Sequence, residues 1–211
     1  DCAAALFPRH YPGDSRGIEL SLRNSSQRDD GDLFWQMECQ ELMTKFEQRV
    51  SVPISTGSIG HLSVFALAPQ PLLILLGTLL TDIASVDVYQ RHREPGASWH
   101  WPEGDQGDLE YVLTPPGDTR GPVALVLSLT APVARDRITQ VLGEDVALWH
   151  VTAPEPSQDI LKSREQLSGY RAFMRGVIRQ IEAVHGTDET LHVFPVMGVA
   201  FAVELGRVRQ P

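Results

Sequence analysis

The period of the apolar positions changes repeatedly along the chain, and each change marks an element. Residues 17–23 (GIELSLR) alternate and predict a strand. Residues 24–32 are polar and turn-like, with Asp30-Gly31-Asp32 suited to cap a helix. Leu33, Phe34, Met37, Leu42, Met43 and Phe46 then recur at helical spacing as far as about Gln48. A Ser/Thr/Gly loop at 55–60 leads into a strand over 61–67, a helix over 71–81 and a strand over 86–91. Residues 94–121, punctuated by Pro and Gly, read as a loop and boundary. The plan then repeats. Residues 122–130 (PVALVLSLT) form the continuous apolar run of a strand buried on both faces. Pro132 opens a helix that Gly143 closes, and 146–152 (VALWHVT) is a strand. A long helix over 160–185 carries Leu167, Tyr170, Phe173, Met174, Val177, Ile178, Ile181 and Val184 on one stripe. A strand over 190–194 and a helix over 198–207 complete the reading.

Strands alternating with helices predict an α/β fold with mainly parallel sheets. The strand SVFALAP ends in Ala68-Pro69, and the strand VLSLTAP ends in Ala131-Pro132. This internal rhyme predicts two Rossmann-like halves about a pseudo-two-fold axis. The halves are expected at 49–121 and 122–211, with residues 1–48 completing the first half or serving as a linker.

From Leu62 to Leu80 no residue is charged, long enough for a membrane span. Pro69, Gln70 and Pro71 break it in the middle, and no basic anchor flanks it closely, so the reading is a buried strand feeding a buried helix. The 42% of hydrophobic residues among 211 is enough for a sizeable core. Eighteen basic against 27 acidic residues leave a net charge of −9. That excludes a broad basic face for duplex nucleic acid, and docking on an anionic membrane. A small anionic ligand needs only a few local cations. Cys2 and Cys39 form neither a disulfide framework nor a zinc site. The chain reads as cytoplasmic, and its start at Asp1 is expected of a fragment or processed piece.

Ligands of parallel α/β sheets bind beyond the carboxyl ends of the strands. That rule selects Ala68-Pro69-Gln70, then Gln90-Arg91-His92-Arg93, then Ser128-Leu129-Thr130, and Pro195-Val196-Met197-Gly198. Arg91 and Arg93 suit phosphate or carboxylate, or else pair with Glu94 or a nearby acid on a solvated loop. Ser128 and Thr130 share a face, as helix caps or ligand contacts. Gly198 permits either a close backbone approach or a plain turn. Trp99 and Trp101 are base-stacking platforms or packed core aromatics. Arg171, Arg175 and Arg179 form a ladder that is a solvated face or an oligomer contact. The GSIG run at 57–60 precedes a strand rather than following one, so it fits neither a phosphate loop nor a dinucleotide fingerprint. The seven histidines lack ligand spacing, and no catalytic motif stands out; the sequence predicts no cofactor, no metal and no catalytic residue.

The stretches HLSVFALAP and PLLILLGTLL (61–80), VDVYQRHR (86–93), WHW (99–101), SREQL (163–167) and HVFPVMGVAFAVELGR (192–207) resemble the SAVED domain of bacterial antiphage proteins. The resemblance runs collinearly over roughly residues 50–208. It implies two fused CARF-like Rossmann halves and a cytoplasmic sensor of cyclic oligonucleotides, often cyclic oligoadenylates, in CBASS or type III CRISPR defence. It also implies head-to-tail self-association on ligand binding and a fused effector, absent from this stretch, that carries the activity. The family usually continues past Gly206-Arg207 into one more strand, so the carboxyl end is expected to be truncated. The expected ligand-binding residues are Ala68, Pro69, Gln70, Gln90, Arg91, His92, Arg93, Trp99, Trp101, Ser128, Thr130, Pro195, Met197 and Gly198. Two alternatives remain open at this point: a ring nuclease using His92, and an interaction module indifferent to nucleotide.

Overall fold

The computed structural model describes residues 2–13, 17–21, 31–83 and 85–208. Helix α1 (Cys2–Leu6) is followed by α2 (Asp32–Phe46), a π-helical turn (Glu47–Ser51) and α3 (Val52–Ser55). Next come β1 (Leu62–Val64), α4 (Gln70–Leu79), β2 (Val86–Val88) and β3 (Val112–Thr114). The chain continues through β4 (Val123–Ser128), α5 (Arg135–Leu142), β5 (Ala147–Thr152), α6 (Arg164–His185), β6 (Leu191–Val196) and α7 (Val199–Val208). The fold is α/β, and its sheets are mainly parallel. β1 and β2 make a two-stranded parallel sheet. The other sheet has the order β3-β5-β4-β6, with only β3 antiparallel.

The apolar run at 123–128 takes the central place because all six residues are buried. Leu125 and Leu127 face the main core beneath α6 and α7, while Ala124 and Val126 pack with Ile138 of α5. In α6 the spacing of Leu167, Tyr170, Met174, Val177 and Ile181 puts all five on the buried side, while Phe173 and Ile178 at its margins are half-buried and Val184, in the last turn, is exposed. Its Ser163 N-cap accepts the Gln166 N–H at 3.1 Å, while the Gln166 side chain accepts the Lys162 N–H at 2.8 Å.

Helices α4 and α7 cross with their backbones in contact. A Cβ on Gly77 would lie 1.9 Å from the Val203 carbonyl oxygen, and one on Gly206 would lie 1.9 Å from that of Ile74. Only glycine fits at either position. α7 also buries Glu204, whose carboxylate meets Arg207 at 3.0 Å and Arg171 at 3.7 Å. Arg171 is therefore not part of a solvated ladder, whereas Arg175 and Arg179 are exposed.

Other departures from the sequence reading have local causes. Residues 17–21 form no strand; the Glu19 and Ser21 carbonyls accept from Arg49 and Lys45 instead. Residues 22 and 23 of that expected strand, and Asp30 of the expected cap, lie outside the described residues. The loop read over 94–121 contains β3, which pairs with β5. β6 continues through Pro195, tolerable because β6 is an edge strand of its sheet. Among the described residues no helix is long and apolar enough to cross a membrane.

Candidate functional site

The strand ends of the two sheets converge, and two glutamines join them. Gln70, at the start of α4, donates from Nε2 to the Met197 carbonyl at 2.7 Å. Gln90, just past β2, is buried, and its Oε1 accepts the Ala200 N–H at 3.2 Å. That bond satisfies one of the free donors at the start of α7. The Gln90 amide lies close over Gly198, where a Cβ would come 2.8 Å from Oε1 and displace that side chain. The turn Met197–Ala200 of the larger sheet is thus stitched to the ends of β1 and β2.

The loop after β2 folds back on itself. His92 and Ser98 exchange backbone hydrogen bonds at 2.8 and 3.1 Å. The Arg91 guanidinium lies 5.4 Å from the centre of the Trp99 ring, and Trp99 meets Phe65 edge-on. Trp99 is only 6% exposed, so its ring forms a floor beneath Arg91. His92 is buried edge-on to Trp101, with Nδ1 3.9 Å from the Asp159 carboxylate. Burial pulls the His92 pKa below its ordinary value, and Asp159 opposes this only in part. Asp159, in the connection from β5 to α6, also accepts the Arg93 and Glu94 backbone N–H groups at 3.0 and 3.1 Å. Arg93 donates to Gln158 Oε1 at 2.6 Å and remains exposed.

At the end of β4 the Leu129 and Thr130 N–H groups both donate to the Val196 carbonyl, at 3.0 and 3.1 Å. Ser128 is 1% exposed; its Oγ accepts the Val133 N–H at 3.3 Å and bonds His150 Nε2 at 2.9 Å. The buried Ser128 hydroxyl is an anchor for the turn leading to α5, while Thr130 is half-exposed. Ala68 and Gln70 are half-buried, Pro69 is exposed, Pro195 and Gly198 are half-buried and Met197 is buried. Three buried polar atoms around this junction have no hydrogen-bond partner among the described residues: Gln70 Oε1, His92 Nε2 and Trp101 Nε1. Each such atom costs about 1–3 kcal/mol when left unmet. The junction therefore presents the exposed Arg93 and half-buried Arg91 guanidiniums beside backbone groups of the strand ends, which is binding chemistry for an anion.

The spacing of the sequence gave no sign of two acidic anchors. One is Asp159. The other is Asp87 of β2, which collects His10 Nε2 at 2.8 Å, Arg164 Nη1 at 3.1 Å and Arg9 Nε at 3.4 Å on one oxygen. Burial pushes the Asp87 pKa up, but the His10 bond, Arg164 and Arg9 outweigh it and hold the carboxyl below the usual range. Arg164 also lies over the Tyr89 ring, 4.7 Å from its centre. Two open grooves of the surface lie elsewhere, one along Gln40, Met43, Thr44 and Leu79, another along Leu109, Tyr111, Gln166 and Phe173.

Comparison with curated proteins returns no match. The family model of SAVED, the "SMODS-associated and fused to various effectors sensor domain", matches residues 42–211. That interval contains both sheets, α4, α7 and every residue of the junction between them. The chain belongs to the SAVED family of sensor domains.

Proposed function

We propose that the junction of the strand ends binds a cyclic oligonucleotide, a cyclic oligoadenylate in the first instance, and that binding drives self-association and switches on a fused effector in antiviral defence. In this reading residues 49–121 and 122–211 are two CARF-like halves, with β3 reaching across to the second sheet. The carrying observation is the junction itself: Gln70 and Gln90 tie the strand ends of the two sheets together, and the Arg91 and Arg93 guanidiniums stand beside them. Arg91 and Arg93 take phosphates. Thr130 and the backbone of Ala68–Gln70 and Pro195–Gly198 take further polar groups, and Trp101 takes a base. Gln90, His92, Trp99, Ser128 and Met197 are buried and support that surface from behind. The net charge of −9 is compatible with an anionic ligand because the local charge is reversed at Arg91 and Arg93. The role is sensing rather than catalysis: His92 is buried and its pKa is lowered, which suits a prop for the loop better than a general base in contact with ligand.

Calorimetry with cyclic di-, tri- and tetra-adenylate and a mixed-base cyclic trinucleotide tests the reading. Micromolar or tighter binding of at least one is expected, with particle growth in light scattering. Binding by none of them would overturn it.

A further inference from the structure

Asp87 is the centre of a second cluster, on the face of the small sheet that α1 covers. His10, from the segment following α1, and His61, just before β1, stack their rings at 3.9 Å between centres. One nitrogen of each and an Asp87 oxygen all lie within 4.8 Å of one another. All three residues are half-buried, and they come from three separate segments. His61 is oriented from behind by Ser85, whose Oγ is 2.8 Å from Nδ1, while Nε2 is 3.2 Å from Ser63 Oγ.

We propose that His10, His61 and Asp87 form a binding site for a divalent transition metal of the zinc class, which pins the N-terminal segment onto the small sheet. Two imidazoles and a carboxylate are the ligand set such ions take, with a fourth position left for water. Bonds of about 2.0–2.1 Å hold neighbouring donor atoms about 3.3 Å apart, so His10 and Asp87 need to separate only slightly from their direct bond. Ser85 plays the part of the outer partner that fixes a ligating imidazole. The adjacent cations decide the affinity. Arg164 is held over Tyr89 and stays on Asp87 as an outer hydrogen-bond donor. The Arg9 side chain is 60% exposed, so it swings into solvent when the ion enters. His10 lies outside residues 42–211, so the site ties a segment beyond the family match to the sensor fold.

Titrating the full chain with Co²⁺, followed by its visible absorption, and with Zn²⁺ by calorimetry tests this independently of the nucleotide reading. One ion per chain is expected, with limited proteolysis of residues 2–11 slowed on binding. His61→Ala and Asp87→Asn should each weaken binding by at least tenfold, and Ser85→Ala by roughly 10–100-fold. Arg9→Ala, a change at an exposed side chain, should tighten binding because a competing cation is gone. Equal Co²⁺ binding by the wild type and a His10→Ala/His61→Ala variant would overturn the proposal. So would an Arg9→Ala protein that binds no tighter than the wild type.

Discussion

The two sheets share one apolar core but differ in strand length and in the polar ties added to it. In the four-stranded sheet β4, β5 and β6 are each six residues long, and the central strand is buried throughout. Its neighbours are α5, α6 and α7, so apolar burial on two faces does most of the work. The small sheet has two strands of three residues, a size with little independent stability. Val88, with Leu62, Val64 and Val86 against it, places it in the same apolar core, and polar ties are added at its edges: Gln70 and Gln90 to the β6–α7 turn, Asp159 to the loop after β2, and Asp87 to the N-terminal segment and α6. The added charge pairs and side-chain amides sit at the ends of the small sheet, where an arriving ligand would act on them.

Substitutions that break this contrast should rank accordingly. Phe201→Ala removes a fully buried ring from α7 and should cost about 3–5 kcal/mol in chemical denaturation, with both sheets lost in one transition. Gly206→Ala places a methyl group against the Ile74 carbonyl and forces α4 from α7; about 1–3 kcal/mol is expected. Asp159→Ala should leave the four-stranded sheet intact while speeding hydrogen exchange at Arg93 and Glu94, whose amides lose their acceptor. If exchange quickened equally in β4, the division between the sheets would be wrong.

Acidification should act on His92 beside the small sheet and, with the same sign, on His150 of β5, whose pKa burial also lowers. The His92 pKa is lowered in the folded protein, so the unfolded chain takes up the proton more readily. The stability carried by neutral His92 is complete above its unfolded value of about 6.5 and is lost as pH falls through the lower folded value. Asp87 follows the same sign at lower pH: its folded pKa is depressed, so its contribution is present above the ordinary carboxylate value and fades as the folded value is passed. Protection factors in residues 86–101, corrected for the intrinsic exchange rate, should therefore fall from about pH 6.5 downward, with a second fall in the acid range. His92→Gln should flatten the first. The smallest effect expected is that of Arg179→Ala, an exposed position on α6, within about 0.5 kcal/mol of the wild type.

Elements held by apolar burial were legible as sequence patterns, and those held by distant side chains were not. The run at 122–130 and the stripe of α6 announce their elements because burial and period coincide there. β3 escaped notice because three residues cannot establish a period and Pro115 and Pro116 follow at once. The rule of strand ends selected Gln70, Gln90, Arg91, Arg93 and Gly198, which the structure does bring to one junction. It missed Asp159 and Asp87, because their partners are 66 and 77 residues away and no local spacing encodes such pairs. The histidines at 10 and 61 looked scattered for the same reason. The AVELGR segment stood out through its family resemblance, while the physical demand on Gly206 is a backbone crossing visible only in three dimensions.

The central claim is that one ligand engages the ends of both sheets together. Hydrogen–deuterium exchange with and without the tightest-binding cyclic oligoadenylate tests it most directly. The account predicts simultaneous protection of residues 66–70, 89–93, 128–131 and 195–200. Protection confined to one sheet, or to the grooves along α2 or beside Tyr111, would contradict it.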